Sequence, residues 1–157
     1  MLKEKIEQAG EILREESIDL WLTFVRESET SPDPALDLIL QENCTWQSAF
    51  LIPARGTPTA IVGSLDKARI EAKEAYRVIG YREGIGKALV EAIREADPEK
   101  IAVNYSENDV MADGLTHGMY LILEKYLDEA GYLEALVSSE GIISRLRGRK
   151  TGGELER

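Results

Sequence analysis

An α/β fold, with a mixed sheet of about five to six strands and helices on both faces, is predicted by three features of this 157-residue sequence. The stretches 18–25 and 101–103 are short and almost continuously apolar, as strands covered on both sides must be. The turn Ala54-Arg55-Gly56-Thr57 separates two strand-like stretches, 45–53 and 59–63, and predicts an antiparallel hairpin. From residue 64 onward, helical and strand-like stretches alternate, which is the rhythm of parallel βαβ units.

The elements follow in order. Leu2, Ile6, Ala9 and Leu13 recur at helical spacing among Lys3, Glu4, Lys5, Glu7 and Glu11, so the chain opens with an amphipathic helix. After the first strand, 26–34 collects Ser, Thr, Glu, Asp and two prolines and reads as a loop. Pro34 suits the first position of a short helix through Leu40, with Asp33 as its cap. Beyond the hairpin, Ser64 is expected to cap a helix whose inner face carries Leu65, Ala68, Ala72 and Ala75. A strand over 76–80 follows, then a helix over 85–96 that stops at Asp97-Pro98 because the residue before proline leaves the helical region. A buried strand over 100–104 leads to a long helix over 115–130, striped by Leu115, Met119, Ile122, Leu123, Tyr126 and Leu127 and stopped by Gly131. A last strand over 133–137 precedes a helix capped by Ser138 or Ser139, with Glu140 first and Arg145 and Arg147 last, as the helix dipole prefers.

Composition narrows the function. With 19 Lys and Arg against 29 Asp and Glu, the formal charge is −10, which disfavours a nucleic-acid partner that would need clustered cations. One cysteine, Cys44, and one histidine, His117, leave no zinc site of the usual N/S type and no internal disulfide. The sequence has neither a signal-like start nor an apolar run near the ~18 residues a membrane span needs, and a cytoplasmic location without membrane contact is expected.

Individual residues offer little chemistry by themselves. Gly84-Ile85-Gly86 before a helix and Lys87 resembles a fragment of a phosphate loop, yet the remaining glycine and the Walker spacing are missing, so a plain helix start is the better reading. Asp19, Asp37, Asp66 and Asp109 fall at element ends, where carboxylates normally cap and solvate. His117 begins the long helix and reads as a hydrogen-bonded helix-start residue. Gly118 is costly inside a helix unless something packs closely there. Trp21 and Phe24 read as core; Trp46, at a strand start, can combine core packing with an exposed contact.

Several stretches in order resemble the N-terminal domain of the creatinase, prolidase and aminopeptidase P family of metallopeptidases. They are Asp19-Leu20-Trp21-Leu22, Thr45-Trp46-Gln47-Ser48-Ala49-Phe50, Ala60-Ile61-Val62-Gly63, Ile101-Ala102-Val103-Asn104-Tyr105-Ser106, Asp113-Gly114-Leu115-Thr116-His117-Gly118-Met119-Tyr120, Ser139-Glu140-Gly141-Ile142-Ile143 and Leu146-Arg147-Gly148-Arg149-Lys150-Thr151. The resemblance implies a ribonuclease H-like arrangement of the mixed sheet, with residues 1–147 forming the domain and 148–157 a linker toward a catalytic domain absent from this chain. It further implies that the two divalent metal ions and their Asp, His and Glu ligands belong to that absent domain, so no catalytic or metal-binding residue and no cofactor is assigned here. The implied partners are the chain's own catalytic domain, a second subunit and a proline-containing peptide. By the same resemblance Trp46 and His117 are candidates for the substrate entrance.

Three function classes therefore stand side by side. The first is a non-catalytic N-terminal domain of an Xaa-Pro aminopeptidase or dipeptidase, serving substrate entrance and dimer assembly. The second is a stand-alone binding or regulatory module with no catalytic half. The third, an acidic-cluster nuclease, is disfavoured by the charge.

Overall fold

The computed structural model describes residues 2–27 and 32–149. Helix α1 (Leu2–Glu15) leads to β1 (Leu20–Val25), the short α2 (Leu36–Ile39), β2 (Ser48–Pro53), β3 (Thr59–Gly63), α3 (Lys67–Glu71), β4 (Arg77–Tyr81), α4 (Gly86–Ala96), β5 (Ile101–Val103), α5 (His117–Ala130), β6 (Leu136–Ser138) and α6 (Glu140–Gly148). The six strands form one mixed sheet in the order β4-β3-β2-β1-β5-β6. Only β2 runs against its neighbours: it is antiparallel to β1 and β3, while β4 is parallel to β3, β5 to β1 and β6 to β5. Among the described residues, no helix is long and apolar enough to cross a membrane.

Strand β1 is central and buried along its whole length. Its alternation sends Trp21 and Val25 to one face and Leu20, Leu22 and Phe24 to the other. The Trp21 face packs against α1, α2 and α6; the Leu22 face packs against Leu89 and Ile93 of α4 and Met119, Leu123 and Leu127 of α5. Each fully buried Leu or Ile in these layers contributes roughly 1.5–3 kcal/mol.

Local details match the sequence in some places and depart from it in others. Gly56 takes a φ of 112° in the hairpin turn, Asp97 a φ of 45° before Pro98, and Gly131 a φ of 88° where α5 stops. The helix expected from Pro34 through Leu40 is shorter, α2 beginning at Leu36 with Ala35 ahead of it, and Asp33 Oδ1 accepts the Ala35 N–H at 2.9 Å in the turn that enters it. Of the two serines before α6, Ser138 accepts the Glu140 N–H at 3.1 Å. The helix expected from Ser64 is shorter. It begins at Lys67, and Leu65 is 73% exposed because it lies in the turn ahead of α3 and not on an inner helical face. Leu115 likewise precedes α5, which starts at His117 with Thr116 as its cap, the Thr116 Oγ1 accepting the Met119 N–H at 3.3 Å. Residues 133–135 form a 3-10 turn, so β6 is confined to Leu136–Ser138. The expected linker 148–157 lies outside the described residues from position 150; Gly148 closes α6.

Candidate functional site

Because five of the six strands point the same way, their carboxyl ends share one edge of the sheet. In open α/β sheets ligands bind outside such an edge, where the strand order reverses. Here the order reverses between β1 and β5, and both sequence-derived candidates stand at this edge: Trp46 precedes the amino end of β2, and His117 opens α5.

Trp46 is 36% exposed. Its indole lies over Gly63, where a Cβ would come within 2.4 Å of Cε3, and tilts against Tyr81 with ring centroids 6.0 Å apart. The Tyr81 hydroxyl donates to the Gln47 carbonyl at 2.6 Å, which ties the segment before β2 to the end of β4. Burial, the largest influence, pushes the Tyr81 phenol up to about 12. Around Trp46 opens a cleft of about 600 Å³ whose rim carries Arg26, Glu27, Arg82 and Glu83. These four bring charge of both signs to an aromatic floor.

His117 is exposed and does not line that cleft. Arg26 connects the two places: it borders the cleft, and its Nη2 lies 3.2 Å from the point where a Cβ on Gly118 would sit. The glycine in the first turn of α5 thus admits a guanidinium. The glycine at the start of α4 has a packing reason as well, since the Tyr126 ring would lie 2.5 Å from a Cβ on Gly86. Gly84-Ile85-Gly86 is a helix start pressed against an aromatic ring.

Three of the four carboxylates singled out from the sequence, Asp19, Asp66 and Asp109, accept backbone N–H groups. Asp19 Oδ2 accepts the N–H groups of Glu99 and Lys100, each at 3.0 Å, and Asp109 Oδ1 accepts that of Met111 at 3.0 Å. Asp66 does not cap the backbone of its own helix: its carboxylate accepts the Thr45 N–H at 2.8 Å and the Thr45 hydroxyl at 2.7 Å, and pairs with Arg69 of α3. Burial raises the Asp66 pKa, but these hydrogen bonds and the Arg69 charge outweigh it and hold the group below the usual carboxylate value. Cys44 is buried, and desolvation pushes its thiol up to about 11, leaving it without thiolate reactivity. Among the described residues no three His, Cys, Asp or Glu side chains converge as they would to hold a metal ion.

Sequence reasoning missed a buried polar junction between β1 and β5. Asn104, at the end of β5, accepts at Oδ1 from Trp21 Nε1 (2.8 Å) and Ser139 Oγ (2.6 Å). Its Nδ2 donates to Thr23 Oγ1 (3.1 Å) and Asp33 Oδ2 (2.9 Å). All four hydrogen-bonding positions of the amide are used. Asp33 in turn rests on Gly114, whose Cβ would fall 2.1 Å from the Asp33 Cγ. The available signal was an asparagine closing an otherwise apolar strand, a residue type that must find partners when buried.

No family model matches the chain, and no curated protein matches it. Solved structures do. A proline dipeptidase from Streptococcus pneumoniae superposes with a TM-score of 0.69 at 19% identity, over 94% of this chain and 99% of that one. The creatinase/prolidase N-terminal domain of an X-Pro dipeptidase from Streptococcus pyogenes gives a TM-score of 0.63 at 14% identity, over 92% of this chain and 98% of its own. The fold is that of a creatinase/prolidase N-terminal domain. An X-Pro aminopeptidase from Thermotoga maritima, with a TM-score of 0.72 at 16% identity, shows the other kind of match: this creatinase/prolidase-type domain covers 96% of itself but 38% of that chain. The prolidase from Pyrococcus horikoshii is similar, with 37% of its chain spanned. At these identities the likeness is one of fold.

Proposed function

We propose that this chain serves as the non-catalytic N-terminal domain of an Xaa-Pro peptidase, working beside a metal-bearing catalytic half and a second subunit. The observation that carries the proposal is the match along nearly the whole length of N-terminal-domain structures from such enzymes, against little more than a third of the longer ones. In this reading the carboxyl edge of the sheet faces the substrate path. Trp46 offers its indole to the proline ring, the charged rim meets the peptide ends, and His117 stands at the same edge. Neither residue takes part in bond cleavage; the two metal ions and their chemistry belong to the catalytic half.

The test is kinetic. In the protein carrying both halves, Trp46→Ala or His117→Ala is expected to raise KM for an Xaa-Pro peptide about threefold to tenfold with kcat near normal, the pattern of lost uniform binding. A lowered melting temperature with unchanged kinetics of the folded fraction would make both residues structural. A chain that never occurs with a catalytic half would turn the reading to a stand-alone binding module.

A further inference from the structure

The junction beneath the candidate site contains one group whose presence stability does not explain. Asp33 is 3% exposed, and removing a carboxylate from water is costly unless its partners are well placed. Burial, the largest influence, raises its pKa; the hydrogen bonds from Asn104 and the Ala35 N–H oppose this, and the negative charge of Asp113 adds to the rise. Asp113 is the charged neighbour that reaches it; Asn104, Ala35 and Gly114, its closest surroundings, are uncharged. An amide could not replace it freely. Two N–H donors converge on two oxygens, and an asparagine would present one oxygen and one further donor to them.

The carboxylate's location suggests what it does. It joins the segment entering α2 to the end of β5 through Asn104 and to the β5–α5 connection through its seat on Gly114. That connection is bonded to the same strand end, the Leu115 N–H donating to the Asn104 carbonyl at 2.9 Å, and then presents Thr116 and His117 at the start of α5. We infer that Asp33 is a positioning residue, a carboxylate clasp that sets the start of α5, and with it His117, relative to the sheet's carboxyl edge. The clasp needs the ionised form: a protonated carboxyl keeps one good acceptor and gains a donor where two donors already point. Proton uptake therefore changes the hydrogen bonding at the joint, and the groups bonded to Asp33 report it.

This inference rests on the reading of the carboxyl edge as the site, but its test does not. The 157-residue chain, labelled with nitrogen-15, is titrated downward from pH 7.5, following the Asn104 side-chain amide and the backbone amides of Ala35 and Met119. The expected result is one midpoint shared by all three, above the ordinary aspartate value of about 3.9. In Asp33→Asn the shared midpoint is expected to vanish. Gly114→Ala provides a second route that keeps Asp33: the added methyl displaces the carboxyl, and the shared midpoint should be lost from Asn104 and Met119 while amide dispersion stays native. If Met119 stays flat through the Asn104 transition, or the transition survives in Asp33→Asn, the inference is overturned. A shared titration together with peptide kinetics indifferent to Trp46 and His117 would leave the clasp intact and defeat the substrate-entrance reading alone.

Discussion

At the scale of single residues, one glycine and one asparagine decide how the carboxyl edge is built. At Gly63 the indole of Trp46 occupies the space a Cβ would need, 2.4 Å from Cε3 and 2.8 Å from Cδ2. Gly63→Ala is therefore expected to lift Trp46 from its seat, costing about 1–3 kcal/mol as overpacking does. Trp21, fully buried, provides an internal reference: acrylamide quenching should rise for the exposed fraction of the fluorescence and not for the buried one. Unchanged quenching and melting would mean that the indole is not held by that contact. Asn104 presents the opposite case, a side chain whose removal leaves many groups stranded. Asn104→Ala deprives Trp21 Nε1 and the Asp33 carboxylate of partners and frees the Ser139 and Thr23 hydroxyls. At roughly 1–3 kcal/mol for each group left unsatisfied, the loss should exceed about 3 kcal/mol. Urea unfolding at constant m would measure it, and a loss below about 1 kcal/mol would show that the hydroxyls and the indole find substitutes.

At the scale of elements, the turn before α3 depends on Asp66, which bonds to Thr45 and so ties the segment leading to Trp46 to the start of a helix 21 residues further on. Its pKa lies below the usual value, so the folded state holds its proton less tightly than the unfolded chain. The stabilisation is complete above the unfolded value near pH 3.9 and disappears as pH falls through the lower folded value. Asp66→Asn should melt below the wild type at pH 7, with the gap closing below pH 4. A gap independent of pH would assign the effect to shape and not to charge. Asp33 has the reverse sign, its raised pKa making the ionised clasp a cost that grows as pH rises through its folded value. Much of the element order was legible because period-2 and period-3.6 patterns and their stop signals are local: Gly56, Asp97 and Gly131 adopt left-handed or related positive-φ geometry at their expected stops. The errors lie where tertiary contacts override propensity. Asp66 reaches across to Thr45 as well as to Arg69 of its own helix, and Ser139, at the N-cap of α6, gives its hydroxyl to Asn104 while Ser138 accepts the Glu140 N–H. The junction around Asn104 brings together residues 21, 23, 33, 104 and 139, separations no local pattern can report.

At the scale of the whole molecule, apolar and acidic groups are distributed unequally. Among the described residues, the large apolar side chains left exposed are Trp46, Leu65, Tyr105 and Val110, which follow or precede strands at the carboxyl edge, and Leu121 on α5. Many of the carboxylates are committed to ion pairs or to donors of the backbone. Glu11, Glu15 and Glu16 of the segment ending α1 meet Arg145 of α6 and Arg149 just beyond it, and Glu42 meets Arg69 and Lys73. Asp19, Asp33, Asp66 and Asp109 accept backbone N–H groups, so the acids that might have been recruited to a metal already satisfy donors of the fold. Water-activating metal chemistry needs several such ligands aimed at one point with an open position for substrate. The purified 157-residue chain is accordingly expected to fold yet to leave Xaa-Pro dipeptides and peptides beginning Xaa-Pro intact, with or without added manganese or cobalt. Proline release measured over hours at high protein concentration is the check. Turnover that co-purifies with the chain and stops on chelation would mean that carboxylates assigned here to capping and ion pairing can be drawn away from their donors to hold a metal.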